Sequence, residues 1–293
     1  MALLTLLLPL YLAVAFATNY IGALHSPKPH HVKVAIVGAP AATAPLAHEL
    51  SVMPPNAYVV SQLTSVAQAR QLVAERKLAG AYLPNSQRPT LIVATAAWPT
   101  LANVLEATFR QVAAAEDRPL ALDDVRPLPP NNASGTPNFF FLIICTLGAY
   151  LTVVALEFTA PALSPGNYQG LAVVAAAAVL SPVVVYLIGG PGYGTFSGSF
   201  GTIIAMLAAG ALYAFAVGTI PRLMQLGLGA AVGGLLGSLL FIFVNFPSSG
   251  GSVAPQLLPG FWRFLNHFWI GAAGLDPTAT FSTSAVLTSG PTF

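Results

Sequence analysis

The chain has 293 residues, of which 55% are hydrophobic and only 7% charged. Soluble domains carry about 25% charged residues, so a wholly water-exposed protein is excluded. A net charge of +2 is too small to indicate a nucleic-acid partner, and the single cysteine, Cys145, excludes a disulfide framework or a thiolate metal site.

Charge placement divides the chain. Of the 20 Lys, Arg, Asp and Glu residues, 16 lie between Lys28 and Arg126. None precedes Lys28, and only Glu157, Arg222, Arg263 and Asp276 follow. One segment is suited to water and two are suited to lipid.

Residues 1–24 form an uncharged apolar run, about the length needed to cross a bilayer. A cleaved signal peptide is the competing reading, but a basic leading region is missing and the apolar run is long. The expectation is a retained first transmembrane helix. Residues 25–136 then read as a water-facing α/β domain with its linkers. Its predicted elements are a strand at Val32–Val37, a helix at Ala42–Met53 ended by Pro54-Pro55, a strand at Tyr58–Leu63 and an amphipathic helix at Ser65–Lys77. Strands at Gly80–Leu83 and Pro89–Ala94, a helix at Trp98–Glu116 and a strand at Leu120–Leu128 follow. Alternating strands and helices predict a largely parallel sheet.

After the linker Pro127–Pro137, residues 137–247 read as a bundle of four spans: Asn138–Pro161, Gly170–Gly189, Ser199–Ile220 and Leu226–Phe246. Loops are predicted near Ser164–Gln169 and Pro221–Gln225, and at the glycine-rich Gly189–Gly194. Residues 248–293 read as an interfacial or re-entrant aromatic segment, because Arg263, Asn266 and His267 interrupt its apolar core. The fold class is thus a polytopic α-helical membrane protein of about five spans with an inserted extracytoplasmic α/β domain. A cytoplasmic N-terminus puts Arg222 on the inner side, in agreement with the positive-inside rule.

Few residues suggest chemistry. Glu157 is the one ionisable residue inside a predicted span, and a carboxylate there must face the bundle, a cavity or a partner. It is a candidate proton or substrate site, or a carboxylate reaching the interface. Gly229, Gly233 and Gly237 form small-xxx-small steps that let helices approach closely. Phe261, Trp262, Arg263, His267 and Trp269 form an aromatic outer element, with Arg263 and His267 four apart on one helix face. It reads as an interfacial helix or as a gate over an exit. His25, His30 and His31 lack a carboxylate or thiol partner at a defined spacing, so no metal site is expected. Residues 32–128 hold no catalytic triad, paired carboxylates or nucleotide motif. Neither an enzyme nor a cofactor is expected.

Tyr20-Ile-Gly-Ala-Leu-His25 with Pro27–His31 entering Val34–Gly38, then Gly80-Ala-Tyr-Leu-Pro84, Ser249-Gly-Gly251, Leu258-Pro-Gly-Phe-Trp262 and Gly271–Asp276, carry a resemblance over nearly the whole chain. In these motifs it resembles actinobacterial membrane proteins of the ABC type-2 exporter permease superfamily, in the YhgE/Pip, phage-infection-protein-like group. The resemblance implies six spans, a homodimer in the cell membrane, and transport driven by a separate ATPase subunit. The alternative is a non-transporting accessory, scaffold or receptor protein whose external domain binds a partner protein.

Overall fold

The computed structural model describes residues 2–52, 56–84, 88–132, 134–163, 168–196 and 198–272. Two compact units emerge. One holds residues 27–135 and 253–259; the other holds 2–26, 136–252 and 260–272.

The first unit is built on β1 (Val32–Val37), in which only Lys33 is exposed. A strand buried on both faces belongs in the middle of a sheet. The other strands are β2 (Tyr58–Leu63), β3 (Gly80–Leu83), β4 (Thr90–Val93) and β5 (Ala121–Asp124), in the order β2-β1-β3-β4-β5. Three ladders are parallel: β1–β2, with Val32 opposite Tyr58, β1–β3 and β4–β5. The β3–β4 ladder is antiparallel, with Ala81 opposite Ile92. Its connection is too short for the helical crossover that parallel neighbours need.

Helices α3 (Pro40–Val52), α4 (Val66–Ala74) and α5 (Pro99–Ala114) cover the sheet. Ser65 caps α4 by accepting the Gln68 N–H, and Pro99 begins α5, where its missing N–H is harmless. On one face Val32, Val34, Ile36, Tyr82 and Leu91 pack with Leu50, Leu101, Leu105 and Phe109. On the other, Ala35, Val37, Ala81 and Ile92 pack with Ala69 and Val73 of α4. Each large side chain buried this way contributes about 1.5–3 kcal/mol.

A late segment of the chain completes this core. Ala254 and Leu257, the latter in a short 3₁₀ turn at Pro255–Leu257, join the cluster around Phe109. Lys28 N–H donates to Leu257 O and His30 N–H to Gln256 O. Ala254 N–H donates to Thr100 Oγ1 at 3.2 Å. The sequence assigns Val253–Pro259 to the interfacial segment; its apolar side chains instead belong to the α/β unit.

The second unit is helical. α1 (Ala2–Phe16) continues through a π-helical turn at Ala17–Ile21 into α2 (Gly22–Leu24). The bundle comprises α6 (Thr136–Thr159), α7 (Tyr168–Leu187) extended by a π turn at Ile188–Gly192, and α8 (Phe200–Leu228). Its last helix runs as α9 (Ala230–Ser238), a π-helical stretch Leu239–Val244 and α10 (Asn245–Ser248). Among the described residues four helices are long and apolar enough to cross a membrane: Thr136–Thr159, Tyr168–Gly192, Phe200–Leu228 and Ala230–Ser248. Pro9–Leu24 is a shorter apolar helix. The last described part of the unit is α11 (Gly260–Asn266) and a turn of helix reaching Ala272.

Three local expectations are corrected. Pro221–Gln225 is not a loop: α8 runs through it to Leu228, and the chain turns at Gly229, where φ is +82°. Gly237 of α9 leaves room for the Pro221 ring against it. Leu226–Leu228 therefore end α8, and the last helix starts at Ala230. Gly189–Gly192 is no open loop either, since the π turn prolongs α7 and Gly189 lies against Phe196. Pro54-Pro55 and the Ser164–Asn167 part of the other predicted loop lie outside the described residues.

Candidate functional site

Three helices of the bundle bring buried polar side chains together at one centre. Thr146 of α6, Tyr213 of α8 and Asn245 of α10 are buried together. Asn245 Nδ2 donates to the Tyr213 hydroxyl at 2.6 Å, and Tyr213 Oη and Thr146 Oγ1 lie 2.6 Å apart. Thr146 Oγ1 donates its own proton to Leu142 O of its helix, so the Tyr213 hydroxyl donates to Thr146 Oγ1 while it accepts from Asn245. Asn245 Oδ1 is buried and has no hydrogen-bond partner among the described residues. An orphaned amide oxygen in an apolar interior costs about 1–3 kcal/mol. Gly271 sits directly against it; a side chain there would collide with Asn245.

Beside this centre two irregular turns face each other. A π turn carries an extra residue, so it leaves backbone carbonyls poorly served. Tyr20, inside the π turn of the first helix, donates its hydroxyl to Ile242 O, inside the π stretch of the last. Phe16 stacks on Tyr20 and meets Phe243 edge-on. Tyr11 donates to Leu235 O, and Tyr150 of α6 donates to Gly234 O. Three tyrosine hydroxyls thus serve the last helix, which is π-helical over the six residues Leu239–Val244.

A second polar group lies at the opposite end of the bundle. Arg222 is buried in α8 and donates to Leu163 O at 3.3 and 3.4 Å. Gly170 at the start of α7 leaves room for its guanidinium. Glu157, half-buried near the end of α6, is within Coulombic reach of Arg222. Attraction to the carboxylate offsets part of what burial costs the guanidinium. Gln225, one turn on, is also buried.

The other predicted residues fall in separate places. Gly233 and Gly237 press α9 onto α8: a Cβ on Gly233 would lie 2.5 Å from the Gln225 backbone, and one on Gly237 3.1 Å from Pro221. Gly229 is the turn residue and touches nothing within 4 Å. Phe261, Trp262 and Arg263 are in α11, while His267 and Trp269 follow its end. Trp262 is buried, and His267 is exposed with Nδ1 against Arg263 O. His25 is bonded within its own helix end, to Ile21 O. Among the described residues no three His, Cys, Asp or Glu side chains are grouped as a metal would need. Ala273–Asp276 lies outside the described residues.

Sequence reasoning missed the Thr146–Tyr213–Asn245 centre. Uncharged polar residues scattered over three apolar helices give no local motif, and only their packing brings them together. The signal available was Asn245 itself, an amide inside the run Leu239–Phe246. Comparison of the chain with protein families, characterised proteins and solved structures gives no match.

Proposed function

We propose that the chain is a permease-like subunit of an ABC-type exporter or related envelope transport complex in a bacterial cell membrane. In this reading the helix 2–24 and the four bundle helices cross the bilayer, and the α/β unit lies on the extracytoplasmic side. The protein works as a homodimer or within a larger membrane complex, and a separate ATPase supplies the energy.

The observation that supports it best is the contact between the two π turns, Ala17–Ile21 and Leu239–Val244. π bulges inside helices are frequent at functional sites. Here two of them are joined by the Tyr20–Ile242 bond, and the orphaned Asn245 Oδ1 belongs to the residue that follows the second. In this reading the joined bulges are where packed helices shift against each other.

The test is purification from native membranes with identification of the bound proteins, followed by ATPase assay of the complex. Recovery of an ATPase whose turnover falls on Tyr20→Phe supports the reading. Its absence, together with recovery of another envelope protein, rejects it.

A second reading, a non-transporting accessory protein, draws on the β2 edge. Tyr58–Leu63 is six residues long, bears no charge, and pairs only with β1 among the described residues. Long uncharged edges are normally blunted, and one left open accepts an extended segment of a partner protein.

A further inference from the structure

The exposed aromatic residues of the helical unit are not spread evenly. Phe140 and Phe158 of α6 are 53% and 83% exposed. They are 18 positions apart, about five helical turns, so they share one side of the helix at a separation of about 27 Å. That matches a hydrocarbon layer of about 30 Å. Tyr168 at the start of α7 is exposed at the Phe158 end. Tyr193 and Phe200, at the far end of α7 and the start of α8, are exposed at the Phe140 end. Two girdles of this kind mark the two interfaces of a spanning bundle.

The segment Gly260–Trp269 belongs to the Phe140 end. Asn266 Nδ2 donates to Ser248 O at the close of α10, and Trp262 lies beside Gly22 at the end of the first helix. Phe261, Phe264 and Phe268 are 63%, 63% and 59% exposed. Phe261 and Phe264 are three apart in α11, and Phe268, just past its end, meets Phe264 edge to face. An exposed aromatic face beside such a girdle suits the boundary where acyl chains meet headgroups.

We propose that Gly260–Trp269 is a membrane-surface docking element, with Phe261, Phe264 and Phe268 inserted at the acyl boundary. The inference rests on the membrane reading of the bundle. The occupant is the lipid headgroup layer, because the face adjoins the girdle on the same unit.

The test uses the full chain in a Cys145→Ser background with single cysteines at Phe264→Cys, Leu212→Cys or Glu49→Cys. Each carries an environment-sensitive fluorophore and is reconstituted in phosphatidylcholine–phosphatidylglycerol vesicles holding spin-labelled lipids. At position 264 the emission is blue-shifted and is lost to lipids labelled near the headgroup more than to those labelled deep in the chain. At Leu212, 72% exposed in mid-α8, the deep label quenches more. At Glu49, on the α/β unit, neither does. If 212 is quenched and 264 behaves as 49 does, the docking proposal fails while the membrane reading stands. If 212 too escapes quenching, the membrane reading itself fails.

Discussion

Tyr82 is 1% exposed in the core of the α/β unit, stacked on Phe109, and its hydroxyl has no partner among the described residues. Burial, with Glu116 nearby, raises its pKa above the usual 10.0. The fold therefore holds the phenolic proton more tightly than the unfolded chain does. This contribution is complete below the unfolded value and is lost as pH rises through and beyond it. Tyr82→Phe is expected to leave stability at neutral pH unchanged or raised by up to about 1 kcal/mol, since it deletes an unsatisfied group. It should also flatten the alkaline loss, which urea unfolding at a series of pH values would measure. Asn245 is the opposite case, because its amide nitrogen is well served. Asn245→Ala removes the donor to Tyr213 and is expected to cost about 1–3 kcal/mol, read as a lower thermal midpoint of the purified protein in detergent. Glu75 differs from both: it is fully exposed, and hydrogen bonds from Lys77 and Gln71 lower its pKa. A group so open to water supports no stability argument.

Elements with a strong local pattern were legible from sequence. β1, β2 and β3 begin and end where the residue pattern predicts, because short β-rich runs bounded by Gly, Pro and Asn leave few alternatives. The end of α8 was not legible. Pro221 and Arg222 look like a loop in one dimension, yet Leu163 O receives the guanidinium and Gly237 accommodates the ring. The glycines of α9 show how much the neighbour decides. Gly233→Ala forces a methyl into the Gln225 backbone and is expected to destabilise the bundle by about 1–3 kcal/mol. Gly201→Ala, where nothing lies within 4 Å, is expected to be neutral or stabilising by up to about 1 kcal/mol, from helix propensity. Paired thermal unfolding of the two variants checks the contrast.

At the scale of the whole molecule, charge placement located the two kinds of surface, and the helical unit and the sheet follow it. What sequence could not give was membership. Residues 253–259 come after the last long helix, yet they fill the core that residues 27–135 leave open. A fragment of residues 27–135 is expected to expose apolar surface, bind a hydrophobic dye and unfold at a lower temperature. Fusing residues 253–259 to it through a flexible linker should restore a sharp transition. Equal melting of the two fragments would show that Ala254 and Leu257 are not needed. The Thr146–Tyr213–Asn245 centre was hidden for the same reason, since its members lie on three helices that sequence treats as interchangeable apolar runs.

The late contribution of Val253–Pro259 also fixes an order of events during synthesis. A ribosome working from the N-terminus makes the five strands and three covering helices of the α/β unit long before it reaches Ala254 and Leu257. Chain folding is otherwise free to proceed domain by domain as each emerges. Here the sheet waits, with its Phe109 side incompletely covered, until every long helix has been made. Mature packing of the α/β unit thus reports that the long helices have been made, and a chain stalled in the middle of its bundle is marked by an unfinished core.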